Sequence, residues 1–190
     1  MKNKYIFSIL ALSVMLTGCA PAVMATATTA GAVVTDPRST SQMFDDSEIS
    51  HQVNTAITSN AALAENTKIT ATTYNGQVLL TGEAFNDQYR NQAVALAKTI
   101  PGVKVVYDDV VLAPLGTMSQ YSNDTWLTTK VKAKLYAKLG FSSNDFKVVS
   151  EKGTVYLLGK VNHTQAKLAV DEVKKMDGVK QVKTFFQYTD

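Results

Sequence analysis

Apolar positions after residue 44 follow a helical period, and the first segment that shows it starts with acidic residues. Ile49, Val53 and Ile57 recur every four residues, as in a helix that buries one face. Asp45 and Glu48 stand three residues apart just before this run, which is the spacing of a capping box. The pattern therefore predicts an amphipathic helix that opens at Asp45.

Two strands, a second helix and a third strand complete this first unit. Ile69–Tyr74 and Val78–Gly82 are β-rich runs, and Asn75-Gly76 between them predicts a hairpin turn. The next segment has a helical period and stops at Pro101-Gly102, with one side formed by Ala93, Ala97 and Ile100. Val103–Leu112 predicts the last strand, so the order of elements is α-β-β-α-β.

The second half of the chain repeats this order. Asp124 is placed to cap a helix whose buried stripe consists of Leu127, Val131, Leu135 and Leu139. Lys147–Glu151 and Thr154–Gly159 predict a hairpin around Lys152-Gly153. The following helix ends at Asp177-Gly178 and has one apolar side, formed by Ala166, Ala169, Val170, Val173 and Met176. Val179–Tyr188 predicts the closing strand.

The repeat predicts the architecture of the folded part. Equivalent landmarks, such as Val53 and Val131, lie 76 to 78 residues apart. We predict an α+β fold of two tandem α-β-β-α-β domains, 45–113 and 124–190, each a three-stranded mixed sheet with two helices on one face. A single core is marginal in a domain of about 65 residues. We therefore expect the two domains to pack on each other.

The first residues have the layout of a bacterial export signal. Two lysines precede the apolar run Tyr5–Leu16, which is shorter than the roughly 20 apolar residues that span a bilayer. The run ends in Leu16-Thr17-Gly18-Cys19, and Cys19 is the only cysteine of the chain. A free thiol or an intermolecular disulfide is the alternative role for Cys19, but neither explains this spacing. We predict a signal peptide over 1–18 and a lipidated N-terminus with a flexible tether over 19–44.

The Leu-x-Gly-Cys segment is similar to the acylation motif of bacterial lipoproteins. This resemblance implies a diacylglyceryl group on the sulfur of Cys19 and a fatty acyl chain such as palmitate on the new amino terminus. Several chains anchor a protein stably, whereas one does so only marginally. Ala20 stands where an aspartate would favour the inner membrane. The resemblance therefore implies an outer-membrane anchor with the folded part facing the periplasm.

The two repeats resemble the BON domain family, and the whole chain after the cysteine resembles outer-membrane lipoproteins with two BON domains. The resemblance rests on paired hairpin and closing signatures: Gly76-Gln-Val-Leu-Leu-Thr-Gly82, Gly153-Thr-Val-Tyr-Leu-Leu-Gly159, Gly102-Val-Lys-Val-Val106 and Gly178-Val-Lys-Gln-Val182. It implies a protein that binds anionic phospholipid, such as phosphatidylglycerol, and supports cell envelope integrity. It also implies partial localisation to cell division sites.

The net charge of +3 hides an asymmetry between the domains. Residues 45–112 hold eight acidic and four basic residues, a net charge of −4, whereas residues 124–190 hold seven acidic residues and twelve lysines, a net charge of +5. Two copies of one fold with opposite charges indicate two different functions.

The first helix of the second domain carries the candidate site beside its buried stripe. An indole suits the interfacial layer of a membrane, and ammonium groups attract lipid phosphates. The predicted phospholipid-binding residues are Trp126, Lys130, Ala133, Lys134, Ala137 and Lys138. Glu48 matches Trp126 in the first domain, where an anionic surface would repel it.

Two alternatives remain open at this point. Trp126 could pack against the other domain, with the lysines of its helix merely solvated. The protein could also be a non-enzymatic scaffold whose acidic first domain binds an outer-membrane assembly or cell-envelope protein.

The sequence gives little support for catalysis, metal binding or nucleic acid binding. His51 and His163 belong to no cluster with the spacing of metal ligands. Asp108 and Asp109 are neighbours on a strand and therefore point to opposite faces. We expect no enzyme activity, no metal and no cofactor. The export signal also argues against nucleic acid as the partner of the basic domain.

Overall fold

The computed structural model describes residues 40–115, 118–138, 140–142 and 145–189, without the side chains of residues 40–44, 118–122 and 138. Both repeats belong to one compact unit. The predicted signal peptide, Cys19 and the tether as far as residue 39 lie outside the described residues, as does Leu139.

The first domain contains a three-stranded mixed sheet. Its elements are α1 (Thr40–Ser59), α2 (Ala61–Asn66), β1 (Thr67–Tyr74), β2 (Gln77–Ala84), α3 (Asp87–Lys98) and β3 (Val105–Leu112). The central strand β2 pairs antiparallel with β1 and parallel with β3. The short helix α2 was not predicted from the sequence.

The second domain repeats this topology. Its elements are α4 (Met118–Ala133), a π-helical turn that continues it (Lys134–Lys138), β4 (Phe146–Glu151), β5 (Thr154–Val161), α5 (His163–Val173) and β6 (Gln181–Tyr188). The strand order is β4-β5-β6, again with one antiparallel and one parallel pairing. The predicted fold class, two tandem domains with mixed sheets, is confirmed.

Each domain has a core between one face of its sheet and its own helices. The predicted stripe of α1 is buried, and so is the stripe of α4 as far as it is described: Ile49, Val53, Ile57, Leu127, Val131 and Leu135. Full burial of such a side chain contributes about 1.5–3 kcal/mol. The four-residue period therefore identified the core-facing sides of both helices correctly.

The predicted starts of these two helices are wrong. α1 begins at Thr40 and α4 at Met118, so Asp45 and Asp124 lie inside helices and not at their N-caps. Glu48 completes no capping box, because its Oε1 accepts a hydrogen bond from Nε2 of Gln52 at 2.8 Å. Asp124 and Asp46, the residue after Asp45, have another structural role, which the hairpins explain.

Both predicted hairpin turns are confirmed. Asn75 and Gly76 have φ angles of 50° and 76°, and Lys152 and Gly153 have φ angles of 50° and 83°. Positive φ at both central residues is the conformation of a two-residue hairpin whose twist matches that of the strands. Glycine adopts it at the second position without steric cost.

The two sheets pack on each other through the faces that their helices leave open. Buried apolar residues of both domains form one cluster there, with Tyr74, Leu79, Tyr156 and Leu158 at its centre. Oη of Tyr74 accepts a hydrogen bond from the backbone N–H of Lys160 at 3.0 Å. The expected packing of the two domains is confirmed, and the helices lie on the outer sides of the paired sheets.

Candidate functional site

Asp124 holds α4 against the hairpin of its own domain. Its carboxylate accepts hydrogen bonds from the backbone N–H groups of Lys152 at 2.8 Å and Gly153 at 3.2 Å. Asp46 binds the turn of the first domain in the same way, at 2.7 Å and 2.9 Å. A charged acceptor makes such hydrogen bonds stronger than neutral ones. The acidic residues in the first helices therefore cap hairpin turns, not helix ends.

We call the binding of the β4–β5 turn by Asp124 the carboxylate clamp. Trp126 follows Asp124 by two residues, and its side chain projects from α4 into solvent. It is 59% exposed, and Nζ of Lys130 lies 4.1 Å from the centroid of its ring. Lys130 also donates a hydrogen bond to the carbonyl oxygen of Asp177 at 3.4 Å. A cation over the face of an indole is attracted by its ring electrons. Trp126 is therefore not packed against the other domain, and it forms a surface pair with Lys130.

Ala133 and Ala137 share the exposed side of this helix. Both are exposed, as the helical period predicted. The side chain of Lys138, the last predicted site residue, lies outside the described residues. Small side chains leave the helix surface open around Trp126.

Lys134 does not join this outward side. Its Nζ lies 2.8 Å from Oε2 of Glu172 on α5, and its side chain is half-buried. Hydrogen bonds from Lys134 and then Lys175 hold the pKa of Glu172 at about 2, so this ion pair persists at neutral pH. Lys134 is also the first residue of the π-helical turn, which has more residues per turn than an α-helix.

Equivalent clefts lie beside the first helix of each domain. The cleft of the first domain, about 430 Å³, is lined by Asp45, Glu48 and Lys104 among others. The cleft of the second domain, about 470 Å³, has Trp126 among its lining residues. Glu48 and Trp126 therefore occupy the same place in the two domains, as the repeat predicted.

Lys180 is a further cation in the second cleft that sequence reasoning missed. It lines the cleft together with Trp126. The available signal was its place two residues after Gly178, which matches the place of Lys104 after Gly102. That match became informative only when the structure brought the end of the domain next to α4.

Acidic side chains meet where the two domains join, near the β4–β5 turn. Glu83 of β2 is 1% exposed and is ion-paired with Lys152 of the other domain. Burial, followed by the charges of Asp124 and Glu83, raises the pKa of Glu151 to about 7, although Lys152 lowers it. The carboxyl group of Glu151 therefore titrates near neutral pH.

The described residues contain no cluster of His, Cys, Asp and Glu that could bind a metal ion. They also contain no helix that is long and apolar enough to span a bilayer. His51 is exposed, and the ring of His163 stacks on Tyr188 at a centroid distance of 4.1 Å. Asp108 and Asp109 do point to opposite faces, since Asp108 pairs with Arg90 of α3 and Asp109 pairs with Lys183 of the second domain.

Both repeats match one protein family, the BON domain, over residues 45–114 and 123–190. Outer membrane lipoprotein DolP of Haemophilus influenzae is 38% identical over 182 residues, which are 96% of this chain and 94% of that protein. The 21 kDa hemolysin of Actinobacillus pleuropneumoniae is 33% identical over 80% of this chain and 79% of its own length. Osmotically-inducible protein Y of Escherichia coli is 34% identical over 74% of this chain and 71% of its own length.

Proposed function

The chain belongs to the BON domain family, and from this premise we propose that its second BON domain binds anionic phospholipid, such as phosphatidylglycerol, through α4. It is a lipid-anchored outer-membrane lipoprotein with two BON domains. In our proposal Cys19 carries the lipid, the domains face the periplasm, and the protein supports outer-membrane integrity, in part at division sites. This role is structural and requires no catalysis.

The observation that carries the proposal is the exposed Trp126 with its lysine neighbour. A tryptophan 59% exposed on a helix surface leaves a large apolar ring in water. The interfacial layer of a bilayer accepts such a ring, because its apolar body and polar N–H find matching surroundings there. Lys130 beside the ring would meet lipid phosphates when the ring enters this layer. The pair therefore suits an anionic membrane surface better than bulk water.

The lysines of α4 differ in what they contribute to this surface. Lys130 and Lys132 are available at the surface, and each lysine near an anionic leaflet contributes about 1 kcal/mol. Lys134 is bound by Glu172 and therefore contributes less attraction than its place in the sequence suggested. Lys180 adds positive charge to the cleft that Trp126 also lines.

The first domain supports the assignment to the second by contrast. Glu48 stands in the place of Trp126, and Asp45 lines the same cleft. An anionic surface repels carboxylates at this position. The first domain has a net charge of −4 and the second a net charge of +5, so an anionic surface repels the first domain and attracts the second.

A fluorescence experiment tests the proposal at a single position, because Trp126 is the only tryptophan of the chain. The protein used is the Cys19→Ser chain without residues 1–18, which loses only residues outside the two domains. On vesicles of phosphatidylglycerol in phosphatidylcholine, we expect a blue shift of its emission and quenching by brominated acyl chains. Pure phosphatidylcholine vesicles should give neither effect.

Co-sedimentation with the same vesicles supplies the matched variants. Trp126→Ala and Lys130→Glu should each weaken binding at least tenfold, whereas Phe85→Ala and Lys160→Glu should leave it within twofold. Phe85 is an exposed aromatic residue of the first domain, and Lys160 is an exposed lysine away from α4. Unchanged binding of Trp126→Ala to anionic vesicles would contradict the proposal.

A protein-binding scaffold is the second candidate, favoured by an exposed apolar patch on the first domain. Phe85, Val111 and Leu112 are 66%, 49% and 42% exposed near the end of the β2–β3 pair. A photo-crosslinking residue at position 85 or 133 in cells separates the two roles and keeps Trp126 in place. Lipid adducts at 133 support phospholipid binding, and one discrete protein adduct at 85 without lipid adducts at 133 supports the scaffold.

A further inference from the structure

The outer edges of the two sheets differ in how the neighbouring helix covers them. β1 and β4 are equivalent edge strands, with α1 beside β1 and α4 beside β4. The edge of a strand exposes N–H and C=O groups that can pair with a further strand, so proteins usually cover or charge it. The difference between the two edges indicates what the second one can bind.

Side chains of α1 close the edge of β1. The amide group of Asn54 accepts a hydrogen bond from the N–H of Ala71 at 2.8 Å and donates one to its carbonyl oxygen at 3.2 Å. Oγ of Ser50 accepts a hydrogen bond from the N–H of Thr73 at 3.0 Å. A residue of an antiparallel strand exchanges the same two hydrogen bonds with its partner. The amide group of Asn54 therefore takes the place of a neighbouring strand.

The equivalent residues of α4 leave the edge of β4 open. Lys132 and Thr128 stand 78 residues after Asn54 and Ser50, which is the spacing of the two repeats. Within the described part of the chain, neither side chain hydrogen-bonds β4. Lys132 is exposed, and among the same residues it forms no ion pair. The position that closes the first sheet therefore carries an exposed positive charge in the second.

The open stretch of β4 contains Val148 and Ser150. In the strand registers these residues match Ala71 and Thr73, so the N–H groups of both and the carbonyl of Val148 point away from β5. Oγ of Ser150 has no hydrogen-bond partner among the described residues, although Ser150 is only 6% exposed. Buried polar groups are normally paired. This edge therefore lacks the partner that the first domain provides from its own helix.

A groove of about 410 Å³ lies along this edge, and seven of its twelve lining residues are threonine or serine. One wall belongs to α4, and another is the face of the first sheet, where Thr70 is exposed and Thr72 is half-buried. Tyr74, two residues further along that face, is fully buried between the sheets. The second sheet therefore ends at β4 before it covers the whole face, which leaves room for a few residues of a further strand.

The groove opens on a different side of α4 from Trp126. Thr128 follows Trp126 by two residues, so it lies about 200° around the helix axis from the indole. Lys132 lies about 240° around the axis in the same direction. Occupation of the groove is therefore distinct from contact through the exposed ring.

We propose that β4 binds an extended acidic segment of another protein, which adds an antiparallel fourth strand to the second sheet. A residue opposite Val148 exchanges two backbone hydrogen bonds with it, as in other complexes formed by strand addition. Opposed residues of paired strands project to the same face, and Val148 is buried in the core below α4. The side chain of the partner residue therefore points toward Lys132, where a carboxylate pairs with the ammonium group. The inference does not rest on membrane binding.

The charge of Lys132 selects this occupant over a second copy of the chain. A lysine at a strand edge opposes pairing with the same edge of another copy, because two ammonium groups would meet. The net charge of +5 on the second domain also repels a second copy and attracts an acidic segment. The residues on either side of the acidic one project toward Thr70 and Thr72. The segment expected is therefore a β-branched run with one central carboxylate and no proline.

A synthetic peptide tests the inference on the Cys19→Ser chain without residues 1–18. The probe is the peptide Thr-Val-Thr-Glu-Thr-Val-Thr with an acetylated amino end and an amidated carboxyl end. At saturation we expect it to shift the amide resonances of Val148 and Ser150 and to slow hydrogen exchange at Val148 by about fivefold or more. The same peptide with an N-methylated glutamate cannot donate the central hydrogen bond and should do neither.

Substitutions at position 132 separate closure of the edge from loss of charge. Lys132→Asn introduces the closing residue of the first domain, and it should weaken peptide binding by more than about twentyfold. Lys132→Ala removes only the charge and should weaken binding by about three- to fivefold. Without peptide, hydrogen exchange at Val148 should slow in Lys132→Asn and stay fast in Lys132→Ala. Lys160→Asn, at an exposed lysine outside the groove, should leave both measurements unchanged.

The contrary results are equally specific. Equal peptide binding by Lys132→Asn and Lys132→Ala, or full binding of the N-methylated peptide, would overturn pairing with the edge of β4. Vesicles of phosphatidylglycerol that slow exchange at Val148 as much as the peptide does would assign the groove to lipid and also overturn the inference. Exchange that slows as the protein concentration rises, without peptide, would assign the edge to a second copy instead.

Discussion

Asp109 of the first domain receives two hydrogen bonds from the ammonium group of Lys183 in the second, at 2.6 Å and 2.8 Å. The neighbouring contact joins Tyr107 to Phe185, with ring centroids 4.7 Å apart. In the strand registers, Tyr107 is equivalent to Lys183 and Asp109 to Phe185. Asp109 thus contacts the equivalent of Tyr107, and Tyr107 contacts the equivalent of Asp109. The interface between the two sheets therefore has approximate two-fold symmetry, with an ion pair at one of the two related contacts and an aromatic pair at the other.

This relationship predicts measurable coupling between the domains. In a double-mutant cycle with Asp109→Asn and Lys183→Met, we expect an interaction energy of about 1 kcal/mol, because both groups are largely shielded from water. The exposed pair Lys167 and Asp171 on α5 is the matched control, with about 0.3–0.5 kcal/mol. Urea unfolding measures both cycles. Equal interaction energies in the two pairs would show that the Asp109–Lys183 contact between the domains stabilises the protein no more than a surface ion pair does.

The carboxylate clamp predicts a large effect for a nearly isosteric change. Asp124→Asn removes the charge that accepts two backbone hydrogen bonds, and we expect unfolding free energy to fall by about 2 kcal/mol. Hydrogen exchange at the amides of Lys152 and Gly153 should accelerate at the same time. Asp177→Asn, the same change at an exposed site, should cost less than about 0.5 kcal/mol. A similar cost at both positions would refute the clamp.

The space around Gly82 does not admit even one methyl group, so we expect alanine at this position to destabilise the protein. A Cβ there would lie 1.9 Å from the carbonyl oxygen of Lys68, at a φ of 114°. Gly82→Ala should therefore destabilise the first domain by more than about 3 kcal/mol. Gly140→Ala should cost only about 1 kcal/mol, since its φ is 69° but, its chain neighbours aside, no atom of the described residues lies within 4 Å of the added carbon. Thermal unfolding of both variants measures the difference.

The raised pKa of Glu151 predicts that the free energy of unfolding decreases as the pH rises toward neutral. Its folded pKa of about 7 lies above the ordinary value of 4.5, so the folded state binds more protons between these values. Unfolding free energy should therefore fall from about pH 4.5 to pH 7. Because the side chain is partly solvated, we expect about 1 kcal/mol.

The matched variant for this pH dependence is Glu151→Gln. It should remove the decline, with Asp124, Glu83 and Lys152 still in place. Urea unfolding at intervals of half a pH unit compares the two chains. An identical decline in both would assign the pH dependence to other groups.

Short-range signals in the sequence were sufficient for the architecture of each domain. The period of Leu127, Val131 and Leu135 fixed the buried side of α4, because the core selects one helix face. Asn75-Gly76 identified the hairpin of the first domain, because asparagine followed by glycine readily adopts positive φ at both positions. Both depend on residues that are close in sequence.

Features that depend on distant residues were not predictable in this way. The carboxylate of Asp124 binds a turn 28 and 29 residues away, so the pattern resembled a helix cap. The partner of Lys134 is Glu172 on α5, 38 residues away, and the π-helical turn that begins at Lys134 was not predicted. The exposed side of α4 was therefore predicted correctly around Trp126, whereas the ion pair of Lys134 was not predicted.

The packing of the sheets against each other gives the molecule two opposite helical surfaces. In the proposed membrane-bound state α4 rests on the inner leaflet of the outer membrane, and the acidic helices of the first domain face the interior of the periplasm. In our proposal that orientation comes from the unequal charge of two similar halves, so exchanging Trp126 and Glu48, which leaves net charges of −3 and +4, should weaken the membrane contact of α4 without inverting the protein.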